Sequence, residues 1–240
     1  MKENIEKEFQ KLCLFNNRKG IIGFSSLKEV KLLPIQKDHI KTKLSSLDLS
    51  KTVTAISIGV FYTPDEVNSI PDKWIAKGTK KDTWNIYARA CGELNRILNR
   101  IAKNMAEKFD GISEQATLEG YTSKINQVEE YYDLCVSRRA FAESAGLGWR
   151  GKSGIIVTPE EGPALRLSTI FVPYEIKSEK RNFQGCGDCQ ACLEVCPFLK
   201  NKKDYRQNCL LRLKNVGLEN EVCGICLRVC WEEIKKNCWK

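Results

Sequence analysis

Cysteine is the residue type whose number and spacing in this sequence point most directly to chemistry. Residues 186–197 read CGDCQACLEVCP, a C-x2-C-x2-C-x3-C-P run. In bacterial iron–sulfur proteins such a run gives three thiolates to one [4Fe–4S] cluster and its fourth cysteine to another. A second group of cysteines is therefore expected downstream. It is present as Cys209 followed by CGICLRVC at 223–230.

The eight cysteines divide into two complete ligand sets, which we call set A and set B. Each [4Fe–4S] cluster needs four thiolates, and the last cysteine of each run is expected to cross to the other cluster. Set A is therefore Cys186, Cys189, Cys192 and Cys230. Set B is Cys196, Cys209, Cys223 and Cys226.

A structural zinc module and disulfide bonds are the alternatives for these cysteines. Zinc sites usually join one C-x2-C pair to a second pair, so three cysteines at successive x2 spacings suit one tetrahedral ion poorly. Disulfides need an oxidising compartment. The N-terminal MKENIEKEFQKL is amphipathic and acidic in part, unlike a secretory or transit peptide, so we expect a reducing cytoplasm. The spacing therefore favours two [4Fe–4S] clusters.

The charge of the chain indicates anionic partners. Its 240 residues carry a formal net charge of +9, and no apolar run approaches the ~20 residues that span a membrane. The segment 200–214 is the densest in basic residues: Lys200, Lys202, Lys203, Arg206, Arg212 and Lys214. Either it is a solvated face, or it docks an anionic partner such as nucleic acid, a phosphate-bearing substrate, a corrinoid protein or an acidic electron donor.

The remaining sequence predicts an α+β fold. Helical periodicity is expected at 2–17, 83–109 and 136–145, and strands are expected at 21–25, 52–62, 155–158 and 165–172. The strand at 52–62, TVTAISIGVFY, is β-branched and almost continuously apolar, which predicts a central, buried position. Residues 177–184 are charged and suit a linker, which divides the chain into domains 1–182 and 183–240.

A second motif, GLGWRGKS at 146–153, precedes the cysteine run by about thirty-five residues. Together the two motifs resemble the epoxyqueuosine reductase family, whose wider relatives include reductive dehalogenases. The resemblance implies a nitroreductase-like domain that binds cobalamin, here 1–182, packed against a ferredoxin-like 2[4Fe–4S] domain, here 183–240. It also implies an electron donor such as ferredoxin or flavodoxin.

The GLGWRGKS motif supplies the candidate cofactor-binding residues. Its glycines permit close approach of backbone to a ligand, and its polar side chains suit amide and phosphate oxygens of a corrinoid. The candidates are Gly148, Trp149, Arg150, Gly151, Lys152 and Ser153. The alternative is a glycine-rich turn between helix and strand, with the tryptophan in the core.

The single histidine, His39, bears on how a corrinoid would be held. A protein imidazole ligand normally comes with a D-x-H-x2-G motif, and this sequence has none. The resemblance therefore implies a corrinoid without a histidine ligand on its lower face. A flavin in the N-terminal domain, as in nitroreductases, is the competing cofactor.

Two features depart from the resembled family. Its members carry an acid in a D-[ST]-[AG]-P motif, whereas this sequence has YYDLCVS at 131–137. Tyr132 falls at the position of the acid and Asp133 follows it, so these are the candidate catalytic proton donors; a surface loop is the alternative. Longer members also continue into helical repeats that help to hold tRNA. We expect a short form without them, for which epoxyqueuosine in tRNA is not the expected substrate.

The sequence thus predicts a cytoplasmic reductase. Electrons would pass through two [4Fe–4S] clusters to a base-off corrinoid, which would reduce an organic substrate. The alternative is a protein without a substrate of its own, which transfers electrons to a partner enzyme or reduces and carries its corrinoid.

Overall fold

The computed structural model describes residues 1–49, 52–79, 82–116, 121–131, 136–179, 181–200 and 203–236. Both candidate proton donors, Tyr132 and Asp133, lie outside the described residues, and so does Lys202 of the basic segment.

The described residues form helices and strands in a mixed order. The helices are α1 Lys2–Phe15, α2 Pro34–Lys43, α3 Pro64–Asn68, α4 Trp84–Lys108, α5 Arg138–Ser144, α6 Ala191–Val195, α7 Pro197–Lys200, α8 Tyr205–Asn215 and α9 Ile225–Lys235. The strands are β1 Gly20–Ser26, β2 Thr54–Phe61, β3 Ile112–Glu114, β4 Trp149–Arg150, β5 Ile156–Val157 and β6 Leu165–Val172. The α+β class predicted from the sequence is confirmed.

An antiparallel sheet with the order β1-β2-β6-β3 forms the centre of the fold. All eight residues of β2 are buried, which confirms the predicted central strand. Strand β5 pairs with β4 in a separate two-stranded sheet. The strands predicted at 155–158 and 165–172 therefore belong to different sheets.

Helix α4 covers one face of the sheet and α5 the other. Alternate residues of β2 and β6, such as Ile58 and Ile170, join the core under α4. The intervening residues, such as Phe171, pack against Phe141 of α5. This division follows from the two-residue period of a strand. The predicted helix at 83–109 is confirmed, but Ile86, assigned to its apolar face, is 41% exposed.

The C-terminal residues share the core of the sheet domain. Leu218, Ile225 and Leu227 belong to the same buried cluster as Trp84 and Leu94 of α4. The chain approaches α4 closely at Gly224, where a Cβ atom would lie 2.6 Å from the Tyr87 ring. The two-domain division at residue 182 stays a prediction. None of the helices in the described ranges has the length and apolar character needed to cross a membrane.

Candidate functional site

Set A is gathered from two distant parts of the chain. Helix α6 carries Cys192, and α9, which packs against it, carries Cys230. Burial raises the pKa of the Cys230 thiol to about 12, and repulsion from Cys186, Cys192 and Cys189 adds to the shift. Cys230 therefore lies beside the first three cysteines, as the predicted ligand set requires.

Set B is gathered in the same way. Burial raises the pKa of Cys226 well above its usual value, and Cys209, Cys223 and Cys196 contribute next. Burial also raises the pKa of Cys209 to about 12, reinforced by Cys223 and Cys196. Cys192 of set A makes a weaker contribution at Cys226, so the two sets are neighbours.

These thiols have the chemistry that an iron–sulfur cluster needs. The ten described cysteines are all free thiols, eight of which form the two sets. Within the described ranges, no three His, Cys, Asp or Glu side chains converge on a single-ion site. A [4Fe–4S] cluster makes a different demand, because each of its four thiolates binds a different iron atom. The ligand assignment itself stays a prediction.

The GLGWRGKS loop packs against set A. The Trp149 Nε1–H group donates to Cys186 Sγ at 3.4 Å. Lys152 Nζ donates to the carbonyl oxygens of Gly187 at 2.8 Å and Cys189 at 2.9 Å. These contacts fix the loop that carries the first two cysteines of set A, and N–H donors to cluster sulfurs tune the reduction potential.

The other residues of this loop have mainly local contacts. Arg150 forms an ion pair with Glu143 at 3.2 Å. Gly148 meets β5 so closely that a Cβ atom would lie 2.0 Å from the Val157 carbonyl oxygen, so only glycine fits. A Cβ atom at Gly151 would lie 3.6 Å from Cys186 Sγ.

A cavity of about 440 Å³ lies beside set B, between α4, β6 and α8. This volume is in the range of ordinary small-molecule sites. All four set B cysteines line the cavity, and none of set A does. Of the six predicted cofactor-binding residues, Ser153 alone lines it. The other five lie outside the cavity lining, and Trp149 and Lys152 contact the set A loop instead, so the cofactor-binding assignment stays a prediction.

Arginines dominate the charge of the cavity wall. Among the described lining residues the only acid is Glu221, against five arginines: Arg138, Arg139, Arg166, Arg206 and Arg212. Arg138 is paired with Glu114 at 3.7 Å and also donates to the carbonyl oxygens of Gln115 and Ala116. The cavity thus offers several cationic hydrogen-bond donors.

Arg212 corrects the interpretation of the basic segment as one surface patch. It is 7% exposed, and its guanidinium stacks on the Trp74 ring at 3.6 Å from the centroid. Its Nε–H group donates to Cys223 Sγ at 3.4 Å, and its Nη2 donates to the Ile75 carbonyl oxygen. The Trp74 ring, the Cys223 sulfur and the Ile75 carbonyl oxygen together stabilise the buried guanidinium charge. Arg212 therefore belongs to the surroundings of set B.

Arg166 is a cavity residue that the sequence interpretation missed. It lies in β6, and its Nε–H group donates to Asn95 Oδ1 of α4 at 2.9 Å. The available signal was a single charge inside an otherwise uncharged strand, LRLSTIFV. A half-buried charge in such a place is informative because charged residues are rarely placed toward the core unless they are paired.

Comparison with known proteins gives the family. No protein-family model matches the chain. Epoxyqueuosine reductase of Lactococcus garvieae is 30% identical to it over 172 residues, which cover 71% of this chain and 44% of that protein. The chain belongs to the epoxyqueuosine reductase family. The enzyme of the same name from Salmonella typhimurium is 36% identical over 149 residues, or 62% of this chain and 35% of that protein.

A solved structure agrees with this family assignment at the level of the fold. The crystal structure of a selenomethionine-labelled epoxyqueuosine reductase aligns with 98% of this chain and 66% of that chain, with a TM-score of 0.50 and 16% identity. The resemblance drawn from GLGWRGKS and the cysteine run is therefore confirmed. The chain spans less than half the length of the two curated relatives.

Proposed function

We propose that this protein is an iron–sulfur, cobalamin-dependent reductase whose reaction takes place in the cavity beside set B. The observation that carries the proposal is that all four set B cysteines line this cavity. A redox centre held there would border directly on whatever the cavity binds.

The two cysteine sets would hold two [4Fe–4S] clusters. Each set offers four thiols, and each has an N–H donor aimed at one sulfur, from Trp149 in set A and from Arg212 in set B. Both features suit a cluster, whose potential depends on thiolate ligands, nearby charge and hydrogen bonds to sulfur.

The arrangement supports a direction of electron flow. Set A does not line the cavity, and the exposed Lys152 holds the loop that carries Cys186 and Cys189. We therefore place the docking site of a ferredoxin or flavodoxin at set A. Electrons would pass to set B, whose cysteines adjoin set A and line the cavity.

The cavity residues fit a corrinoid by their donor chemistry. Ser153, Arg139 and Arg206 line the wall and suit its amide and phosphate oxygens. His39 is in α2, outside the described lining residues, so it is not among the residues that we propose to hold the group. When bound, a corrinoid would supply reductive chemistry at its cobalt.

A reduction of this kind also consumes protons. We propose Asp133 or Tyr132 as the donor, since the sequence places them just before the cavity residues Val136 and Ser137. Epoxyqueuosine, which the relatives' name gives as their substrate, is the first compound to assay.

The first test is anaerobic purification of the full chain with cobalamin present, followed by iron and cobalt quantification and an absorbance spectrum. We expect the purified protein to contain about eight iron atoms and about one cobalt atom per chain. About eight iron atoms without cobalt or flavin would instead favour an electron-transfer protein without a substrate of its own. A flavin absorbance spectrum would mean that the cofactor is a flavin and not a corrinoid.

Two neighbouring variants separate the roles of the GLGWRGKS loop. Ser153→Val removes a donor from the cavity and is expected to weaken corrinoid binding while the iron content stays unchanged. Lys152→Gln removes the contacts to the set A loop and is expected to lower iron content first. Equal effects of the two variants on cobalt retention would contradict this division.

A further inference from the structure

Arg166 lies at a strand position that the pattern of β6 assigns to the core. It is opposite Val60 in the sheet register and on the same face as Ile170 and Val172, which are buried under α4. Arg166 itself is half-buried, and the next inward position, Ser168, is buried. A guanidinium at such a position needs a reason, because an apolar side chain would pack there at lower cost.

The described surroundings of Arg166 provide no negative charge to balance it. Its hydrogen bond goes to the neutral amide oxygen of Asn95, and its other close ionisable neighbours include Tyr62, Tyr87 and Cys91. These phenol and thiol groups are ordinarily neutral near pH 7. In the described part of the chain, no carboxylate lies within ion-pair distance of Arg166. Arg166 is half-buried and faces the cavity, and a cation partly removed from water is stabilised by an anion that pairs with it.

Arg139 faces the same cavity in a similar situation. Its Nη1–H group donates to the Gly154 carbonyl oxygen, and no described carboxylate pairs with it. Burial lowers the pKa of its guanidinium, and repulsion from Arg206 and Arg150 lowers it further. Tyr131 lies close enough to interact electrostatically with both Arg139 and Arg166, so the two arginines share one part of the cavity.

The remaining charges of the cavity wall do not balance these two. Arg138 is already paired with Glu114, and Arg212 is occupied by Trp74 and Cys223. The carboxylate of Glu221 makes no described ion pair with any of the arginines. The described wall of the cavity therefore carries an excess of positive charge beside an apolar surface that includes Phe198.

We propose that the cavity binds an organic oxyanion, with its phosphate or carboxylate group held by Arg166 and Arg139 and its apolar part against the wall near Phe198. Arginine suits either group because its planar fork can donate two parallel hydrogen bonds. The inference rests on the proposed function in treating the cavity as the reaction site, and it names the substrate class. Binding of the anion can be measured without any reduction taking place, so it can be tested separately from the reductase activity.

Calorimetry on the full chain, purified anaerobically with its clusters, tests the proposal. The probes are phenyl phosphate and benzoate, with benzyl alcohol as the uncharged analogue. At least one anion should bind saturably, benzyl alcohol should bind at least about tenfold more weakly, and Arg166→Gln should weaken the anion by about tenfold to a hundredfold. Arg96→Gln, an exposed arginine next to Asn95 on α4, is the matched control and should not change the affinity.

Three results would overturn the proposal. The first is equal affinity of the protein for benzyl alcohol and for the anions. The second is an unchanged affinity of Arg166→Gln for the anion. The third is the lack of saturable binding of either anion at millimolar concentration. Arg139→Gln provides a second variant should Arg166→Gln fold poorly.

The stability of the unliganded protein is an independent readout. Because Arg166 lacks a described counter-charge, Arg166→Met should raise the Tm by a few degrees while abolishing anion binding. Arg96→Met should leave both unchanged. A lower Tm in Arg166→Met would mean that the protein itself supplies the counter-charge, which would overturn the proposal.

A corrinoid with a nucleotide loop also carries a phosphate, so titrations with cobalamin and with cobinamide, which lacks this loop, distinguish the source. If Arg166→Gln weakens cobalamin binding but not cobinamide binding, the oxyanion belongs to the cofactor and the substrate assignment is wrong. If the anion binds through Arg166 but the chain holds no cobalt, the reductase proposal fails while the anion site stands.

Discussion

Set A and set B have the same ligand chemistry but different surroundings. Set A lies beside the GLGWRGKS loop, where Trp149 and the exposed Lys152 contact it. Set B packs against α4 and lines the cavity, and the buried Arg212 contacts it. This difference is the basis for our proposal that electrons enter near set A and leave from set B.

The donors to sulfur differ in charge as well as in burial. Trp149 offers a neutral N–H group to Cys186, whereas Arg212 offers a charged one to Cys223 at the same 3.4 Å distance. A positive charge stabilises a cluster more after it gains an electron. Set B is therefore expected to hold the cluster of higher potential, as the proposed electron flow toward the cavity requires.

The largest predicted effect is the loss of a cluster from a cysteine variant. Cys230→Ala should leave the same residual cluster as Cys189→Ala, with iron falling from about eight to about four atoms. Cys226→Ala should instead match Cys196→Ala. Iron analysis and electron paramagnetic resonance compare the four variants, and Cys13→Ala in α1, outside both sets, is the control that should keep all its iron. If Cys230→Ala matched Cys226→Ala, the crossed assignment would be wrong.

The next effect is a loss of folding stability, compared between a glycine beside set A and a glycine beside set B. Gly185 and Gly224 have positive φ angles of 73° and 72°, so alanine should cost about 1–2 kcal/mol at either position. A Cβ atom at Gly185 would meet nothing within 4 Å, but at Gly224 it would lie 2.6 Å from the Tyr87 ring. Gly224→Ala should therefore lose about 1–3 kcal/mol more in urea unfolding. Equal losses in the two variants would refute the close packing of set B on α4.

A smaller effect is expected on the potential of the set B cluster. Arg212→Gln removes a charge-assisted hydrogen bond worth about 1.5–3 kcal/mol, so the potential should fall by roughly 60–130 mV in a redox titration. Arg212→Lys should recover part of the shift because it retains the charge. Lys214→Gln, on the same helix but outside the cavity lining, serves as the control. A shift confined to the set A cluster would contradict the placement of Arg212.

The smallest effect is expected at set A. Trp149→Phe keeps the aromatic ring but removes the N–H donor to Cys186, which is worth about 0.5–1.5 kcal/mol for a neutral bond. The set A potential should fall by roughly 20–65 mV. A shift as large as that in Arg212→Gln would remove the predicted difference between the two sets.

The sequence determined the principal helices and strands because they depend on local spacing, whereas the ligand grouping stays a prediction. The continuous apolar run at 52–62 predicted β2, and the four-residue spacing of apolar residues predicted α4. The cysteine runs likewise predicted which thiols would come together, including Cys230 with the first three. The family resemblance followed from the cysteine run and GLGWRGKS.

Only the tertiary structure decided what these residues contact. Trp149 and Cys186 are 37 positions apart, and Arg166 and Asn95 are 71 apart, so no local pattern encodes either contact. Arg212 resembled the other members of a basic segment until folding placed it between Trp74 and Cys223. A charge has the same appearance in a sequence whether water or protein surrounds it, and its role depends on which of them does.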